Sequence, residues 1–120
     1  MTNTRRIIVV DDNADHLLVS KWILERRGYD VLTLIDCEEL IDRIRLFRPG
    51  LIFMDHEMPV MSGLEATRLI KSDADCKAIP VVYFSAREDI QDLAAEAGAD
   101  DWLSKPFTLD GLVRKAGKFF

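Results

Sequence analysis

The stretch IIVVDDN, residues 7–13, decides the fold, because four apolar residues are followed at once by two aspartates and an asparagine. Further apolar runs lie at residues 31–35, 51–54, 81–84 and, more weakly, 102–103. Most of these runs show little polar alternation, which is typical of strands buried on both faces in a parallel sheet. The pattern therefore predicts five strands that are covered by helices.

The segments between and after these runs have the apolar spacing of amphipathic helices. Gly28 and Gly98 each follow such a segment, where glycine favours a left-handed helix end, and Pro49 and Pro80 precede the third and fourth strands. The apolar helix positions are Leu17, Leu18, Ile23 and Leu24; Leu40, Ile41, Ile44 and Phe47; Leu64, Thr67, Leu69 and Ile70; Ile90, Leu93, Ala94 and Ala97; and Leu109, Leu112, Val113 and Ala116.

Five strand–helix units fit either a doubly wound open sheet or half of a barrel, and the open sheet is complete on its own. We therefore predict an α/β fold, a doubly wound five-stranded parallel sheet flanked by five helices. The chain has 120 residues, which suits one domain over residues 1–120.

Composition and charge exclude several classes of protein. The formal net charge of −5 argues against direct binding to nucleic acid. Cys37 and Cys76 lie far apart without a CxxC spacing, so they indicate neither a zinc site nor a disulfide framework. Residues 1–6 are short and polar, and no stretch is long enough to cross a bilayer. We expect a soluble cytoplasmic protein without membrane contact.

Polar residues close four of the predicted strands. Ligands of open α/β sheets bind outside the carboxyl ends of the strands, where the strand order reverses. Three carboxylates at that edge would repel each other unless a cation lay among them, and Mg²⁺ prefers such oxygen ligands. A lysine and a hydroxyl would then serve a phosphoryl group, whose transfer needs mainly positioning and charge neutralisation. The residues are Asp11 and Asp12 after strand 1, Asp55 after strand 3, Ser85 after strand 4 and Lys105 beyond strand 5.

Each of these residues also has a purely structural interpretation. Asp11 and Asp12 precede a helix that they could cap, and Ser85 with Glu88 matches a capping box. Lys105 alone is typical of a solvated surface lysine, and Asp55 could simply end a strand. The ordered set at four strand ends favours a shared site, with Asp55 at its centre as the nucleophile.

Four motifs make the chain resemble the receiver domains of two-component response regulators. They are VVDDN at 9–13, FMDHEMPVMSG at 53–63, FSA at 84–86 and GADDWLSKPF at 98–107. The resemblance spans nearly the whole chain. It implies a flavodoxin-like sheet with strand order 2-1-3-4-5.

The resemblance also implies roles in a phosphorelay, in which the chain is a signalling switch and not a conventional enzyme. Asp55 would become an aspartyl phosphate, with the phosphoryl group taken from a sensor histidine kinase or a histidine phosphotransfer protein. Asp12 and Asp55 would bind Mg²⁺ through their side chains, Glu57 through its backbone carbonyl and Asp11 mostly through water. Lys105, joined to Pro106 at the rim of the site by what is a cis peptide bond in the family, would hold a phosphoryl oxygen.

Signal output is likewise implied by the resemblance. Ser85 would move toward the phosphoryl group and the aromatic residue at position 102 would turn inward behind it. The face formed by helix 4, strand 5 and helix 5 would then change its affinity for a downstream protein, or pair with a second copy as a homodimer. Trp102 departs from the usual Tyr or Phe, and its larger indole is expected to hinder this rotation.

The loops around the site suggest further contacts. Glu57 and Arg87 are predicted to form an ion pair across the mouth of the site, although Glu57 could instead bind the metal ion directly or through water. His56 is expected at the rim, and His16 within helix 1 is expected to be a packing or surface residue. Neither histidine is predicted to bind the metal.

Two other functions are compatible with parts of the sequence. A Mg²⁺-dependent phosphatase would also form an aspartyl phosphate, but such enzymes typically carry a D-x-D loop after one strand, whereas these aspartates follow two strands. A phosphorylation-independent adaptor would keep the fold and lose the switch. Phe119 and Phe120 either pack against the domain or indicate a chain cut from a longer protein.

Overall fold

The computed structural model describes residues 5–105 and 109–120, and the strands and helices alternate along these residues. The elements are β1 (Arg6–Val10), α1 (Ala14–Glu25), β2 (Asp30–Leu34), α2 (Leu40–Phe47), β3 (Leu51–Asp55), α3 (Gly63–Ser72), β4 (Val81–Ser85), α4 (Ile90–Ala97), β5 (Asp101–Ser104) and α5 (Leu109–Gly117).

The strands form one parallel sheet in the order β2-β1-β3-β4-β5. The predicted flavodoxin-like, doubly wound architecture with five strands and five helices is therefore confirmed for the described residues. The strand order reverses between β1 and β3, where Val10 pairs with Met54. Residues that follow these two strands consequently lie side by side at the carboxyl edge of the sheet.

Both faces of the sheet are buried, as the uninterrupted apolar runs predicted. Side chains alternate between the faces, so Ile8 and Val10 join one core while Ile7 and Val9 join the other. The first core is shared with α2, α3 and α4, and the second with α1 and α5. This double cover fixes the strand ends in position without exposing the sheet.

Side-chain caps begin two of the helices next to the carboxyl edge. The Asn13 side chain accepts hydrogen bonds from the backbone N–H groups of Asp15 and His16 at 2.9 and 3.1 Å, so α1 begins directly after β1. Ser62 forms a capping box with Glu65 at the start of α3. The purely structural interpretation of Ser85, a capping box with Glu88, does not hold, because α4 begins only after Asp89.

Two predicted core positions are exposed among the residues whose side chains the structure describes, which leave out Leu109. Leu18 is 68% exposed and Leu69 is 41% exposed, while Leu17 and Ile70 beside them are buried. In each pair of adjacent apolar residues the helix phase directs only one toward the sheet. None of the helices among the described residues is both long and apolar enough to cross a membrane.

The end of the chain packs against the domain. Phe119 contacts the core shared with α1 and α5, and the Phe120 ring lies 5.1 Å from the ring of Tyr29, measured between centroids. The expectation that these two residues pack against the domain is therefore confirmed.

Candidate functional site

Three carboxylates meet at the carboxyl ends of β1 and β3. One oxygen from each of Asp11, Asp12 and Asp55 lies within 4.8 Å of the other two. Asp11 and Asp55 are each only 1% exposed, whereas Asp12 faces solvent. The neighbouring registers of β1 and β3 bring these residues together, since Asp11 follows Val10 and Asp55 follows its partner Met54.

Lys105 reaches the same carboxylates from beyond β5. Its Nζ lies 3.3 Å from Oδ2 of Asp11 and 3.3 Å from Oδ1 of Asp55. The ammonium group also lies 4.6 Å from the centroid of the Phe84 ring, within the range of a cation–π contact. A backbone hydrogen bond of 2.8 Å from Lys105 N–H to the Ser85 carbonyl fixes the start of this side chain.

Burial controls the charge of Asp55. It raises the pKa of Asp55 to about 6, with the nearby negative charge of Asp11 acting in the same direction and the positive charge of Lys105 opposing both. A buried carboxylate pair with one ammonium group carries excess negative charge. Clustered carboxylate oxygens of this kind fit a hard divalent cation, so the donor set is compatible with Mg²⁺.

Two groups besides Lys105 orient the Asp11 carboxylate. The backbone N–H of Asn13 donates to Oδ1 at 3.0 Å, and Nδ1 of His16 lies 3.3 Å from Oδ2. Sequence reasoning missed the contact of His16, although its position in the first turn of α1 could have indicated it. Asn13, and not either aspartate, is the N-cap residue of α1.

Ser85 ends β4 and is 1% exposed. Its Oγ accepts a hydrogen bond from the Arg87 N–H at 3.1 Å, which holds the hydroxyl at the strand end. Ser85 pairs in register with Ser104 of β5, so the hydroxyl lies between the strand that carries Asp55 and the one that leads to Lys105.

His56, the residue directly after Asp55, forms a hydrogen-bonded pair with Tyr83. The phenol of Tyr83 bonds to Nδ1 of His56, and the two ring centroids lie 5.6 Å apart in an edge arrangement. Tyr83 is fully buried and His56 is half-buried. Sequence analysis placed His56 at the rim without a partner and did not single out Tyr83, whose position in an apolar strand gives no polar signal.

The predicted ion pair of Glu57 and Arg87 is wrong. The Arg87 guanidinium instead makes two contacts with Asp89, of 2.9 Å from Nε to Oδ1 and 3.2 Å from Nη2 to Oδ2. A partner two residues away in the same loop costs less conformational entropy than one on another loop. Glu57 is exposed. Its negative charge helps to raise the pKa of Arg87, but less than the hydrogen bond and charge of Asp89 do.

Trp102 is half-buried on β5 and packs against the core shared with α2, α3 and α4. It pairs in register with Tyr83, so the two aromatic side chains are neighbours on one face of the sheet. Pro106, predicted at the rim of the site, lies outside the described residues.

Comparisons with known proteins agree with this architecture. The sequence model of the response regulator receiver domain family matches residues 7–116. The DNA-binding response regulator MtrA of Mycobacterium tuberculosis is 33% identical over 116 residues, which are 95% of this chain and 50% of that protein. The sensor kinase/phosphatase CqsS of Vibrio cholerae is 37% identical over 92% of this chain and 17% of its own length.

A solved structure has the same fold. The receiver domain of the sensor histidine kinase PA1611 from Pseudomonas aeruginosa, which has a magnesium ion coordinated in its active-site cleft, superposes with a TM-score of 0.86. The two are 28% identical, and the match covers 98% of each chain. The chain spans about half the length, or less, of the curated relatives that it matches.

Proposed function

The chain belongs to the response regulator receiver domain family, and from that premise we propose that it is a phosphoacceptor switch with Asp55 as the acceptor. Receiver domains act in two-component systems, so a sensor histidine kinase or a histidine phosphotransfer protein is the expected donor. The carrying observation is the convergence of Lys105 on Asp55 and Asp11 at 3.3 Å in each case. The proposed domain spans residues 1–120.

In the proposed transfer, a carboxylate oxygen of Asp55 attacks phosphorus. The new bond joins that oxygen to phosphorus, the phosphorus–nitrogen bond of the donor phosphohistidine breaks, and its electron pair returns to the imidazole. Lys105 would neutralise a phosphoryl oxygen and the Ser85 hydroxyl would donate a hydrogen bond to another. These contacts supply the positioning and charge neutralisation on which phosphoryl transfer depends.

We propose Mg²⁺ as the cofactor. Asp11, Asp12 and Asp55 would hold it together with the backbone carbonyl of Glu57, and when bound it would offset the charge of the transferring phosphoryl group. The solved receiver domain of PA1611 contains such an ion, which supports this assignment by similarity. Asp55 must be ionised to attack, and a pKa of about 6 leaves it mostly ionised at neutral pH.

For the output, we propose that Ser85 and Trp102 respond to the phosphoryl group. The response would alter the face formed by α4, β5 and α5, where a downstream protein or a second copy of the chain could bind. Support comes from Trp102, which lies half-buried on β5 and beside the strand that ends at Ser85.

The other two functions find less support. The acidic residues of the site come from two strands and not from one D-x-D loop, which disfavours the phosphatase. An adaptor without phosphorylation would keep two buried carboxylates and a lysine, and such groups are costly to retain without a ligand.

The decisive experiment incubates the chain with acetyl phosphate or phosphoramidate and Mg²⁺ and measures its intact mass. We expect the mass to increase by one phosphoryl group in the wild type and in Asp30→Asn, an exposed aspartate at the opposite edge of the sheet, but not in Asp55→Asn. Omission of Mg²⁺ or addition of EDTA should abolish the increase. An unmodified wild type would refute the proposal, and steady turnover of an external phosphoester would favour the phosphatase.

A further inference from the structure

The hydroxyl of Tyr83 is a polar group inside a largely apolar core. Tyr83 is among the largest fully buried side chains, and its strand neighbours on the same face are apolar up to Ser85. A buried phenol hydroxyl is costly unless it is hydrogen-bonded, and phenylalanine would fill the same space without that cost. The contact with His56 removes the penalty, so the two residues depend on each other.

The environment of the phenol fixes its protonation state. Burial, together with the negative charges of Asp55 and Glu57, raises the pKa of Tyr83 and keeps the phenol protonated. The neutral phenol shares a hydrogen bond with Nδ1 of His56. The side chain of His56 is thus attached to the middle of β4.

The backbone of His56 is attached on both sides as well. Its N–H donates to the Phe84 carbonyl at 3.1 Å, and its carbonyl accepts from the N–H groups of Met58 and Gly63, each at 3.1 Å. The side-chain bond to Tyr83 adds a further connection to β4. Residue 56 is therefore held by β4, by the loop that follows β3 and by the first residue of α3.

Gly63 explains why this segment has little freedom. A Cβ atom at position 63 would lie 2.8 Å from the carbonyl carbon of Asp55 and 2.9 Å from Cα of His56, closer than real Cβ contacts. The start of α3 therefore packs directly on the backbone of the acceptor residue. Only glycine permits this approach.

His56 separates the two groups that the proposed metal site takes from this segment. The Asp55 side chain precedes it and the Glu57 carbonyl follows it, so the orientation of residue 56 sets the orientation of both. Ligands that are already in place bind a cation with less loss of conformational entropy.

We propose that the Tyr83–His56 hydrogen bond is a positioning element of the acceptor site, which holds residues 55–57 in the conformation that presents the Asp55 carboxylate and the Glu57 carbonyl to a divalent cation. This inference rests on the proposed function, because it concerns the same Mg²⁺ site. Tyr83 and His56 act on the site through the backbone and are not themselves metal ligands.

The experiment measures the Mg²⁺ dissociation constant of the unphosphorylated full chain by calorimetry and its stability by urea unfolding in EDTA. Tyr83→Phe removes only the hydroxyl, and His56→Leu places a methyl group where Nδ1 lies. Each should weaken Mg²⁺ binding about fivefold, the loss that corresponds to one hydrogen bond. The double variant should be no weaker than either single variant, because both remove the same bond.

Two control variants separate positioning from packing. Tyr29→Phe removes the hydroxyl of a tyrosine buried on the other face of the sheet and should bind Mg²⁺ like the wild type. His56→Asn keeps a polar atom near the position of Nδ1 and should restore most of the affinity that His56→Leu loses. If the role of the hydrogen bond were purely structural, Tyr83→Phe and His56→Leu would lower the free energy of unfolding but would leave the Mg²⁺ affinity unchanged.

The experiments distinguish a failure of the positioning role from a failure of the proposed phosphoacceptor function. If the wild type binds Mg²⁺ and accepts a phosphoryl group while Tyr83→Phe retains the wild-type Mg²⁺ affinity, only the positioning role is overturned. Additive losses in the double variant would overturn it as well. If the wild type neither binds Mg²⁺ nor accepts a phosphoryl group, the proposed function fails and the inference fails with it.

Discussion

The ammonium nitrogen of Lys105 lies 3.3 Å from Oδ1 of Asp55, which gives the buried acceptor a cationic partner. Burial outweighs this attraction, however, and raises the pKa of Asp55 to about 6. The folded chain consequently binds a proton at this position more tightly than the unfolded chain, in which an aspartate titrates near 3.9. The acceptor thus lowers the stability of the protein at neutral pH.

We therefore expect Asp55→Asn to raise the free energy of unfolding at pH 7.5 in EDTA by about 1 to 3 kcal/mol. Protonated Asp55 does not destabilise the wild type, so this part of its free energy of unfolding is fully present below about pH 4. It is lost as the pH rises through 6, where the folded chain releases the proton. The difference between variant and wild type should grow over that interval. Urea unfolding at several pH values measures it, and a difference independent of pH would contradict the expectation.

Val60 offers a second test, because it holds a left-handed backbone conformation with φ of 67° while its side chain is fully exposed. A left-handed conformation costs an L-residue about 1 to 2 kcal/mol, which glycine avoids. Glycine, however, loses more backbone entropy on folding, which costs about 0.5 to 1 kcal/mol. Val60→Gly should thus stabilise the chain by about 0.5 to 1 kcal/mol. Val19→Gly, on the exposed face of α1, should destabilise it in the same unfolding assay.

Thr67 lies fully buried on α3, and its Oγ1 has no hydrogen-bond partner among the described residues. Replacing the hydroxyl by a methyl group keeps the shape and removes a desolvated polar atom, so Thr67→Val should stabilise the chain by about 1 kcal/mol. Thr67→Ser keeps the hydroxyl and loses a methyl group, and should destabilise by about 1 kcal/mol. Thermal unfolding measures both stability changes. If Thr67→Val destabilised the chain as Thr67→Ser does, Oγ1 would have to form a hydrogen bond in the folded protein.

Trp102 tests signal output. Trp22 is 58% exposed and stacks with Arg26, so a Trp22→Phe background leaves Trp102 as the emitting indole. Beryllium fluoride, a phosphoryl mimic, together with Mg²⁺ should shift the Trp102 fluorescence in this background because the half-buried ring changes its surroundings. Asp55→Asn should abolish the shift. Unchanged emission with the mimic bound would count against Trp102 as a switch residue.

Glu57 and Arg87 should affect the lifetime of the phosphoryl group unequally. Asp89 holds the Arg87 guanidinium, whereas Glu57 is exposed in the loop directly after the acceptor. Glu57→Ala should therefore change the rate of self-dephosphorylation more than Arg87→Ala does. Mass spectrometry after removal of the phosphodonor follows the decay, and the reverse order would show that Arg87 faces the phosphoryl group.

The sequence predicted the fold well because the physical signal was strong at every strand. The run at residues 7–10 was predicted as a strand and lies within Arg6–Val10, and the buried run at 51–54 lies within Leu51–Asp55. A strand that is buried on both faces must consist almost entirely of apolar residues, so it is recognisable in the sequence. The rule that parallel strands end at one edge is then sufficient to predict that Asp11 and Asp55 lie together.

Side-chain contacts of the site were less predictable. The contacts of His16 with Asp11, His56 with Tyr83 and Arg87 with Asp89 each depend on helix phase or loop dihedral angles. Loop dihedral angles leave no periodic pattern in the sequence, and only the position of His16 in the first turn of α1 gave an indication of its contact. The prediction of Leu18 as a core residue is wrong for a related reason, since composition alone does not tell which of two adjacent leucines faces the core.

Gly63 joins the backbone of the acceptor to the first turn of α3, with its N–H bonded to the His56 carbonyl. Opening of that turn and loss of the acceptor geometry are consequently a single event. Amide hydrogen exchange at the start of α3 therefore reports the integrity of the site even in the absence of any chromophore or phosphoryl group. If a divalent cation slows this exchange, cation binding can be measured from backbone amides at the start of α3, which do not contact the cation.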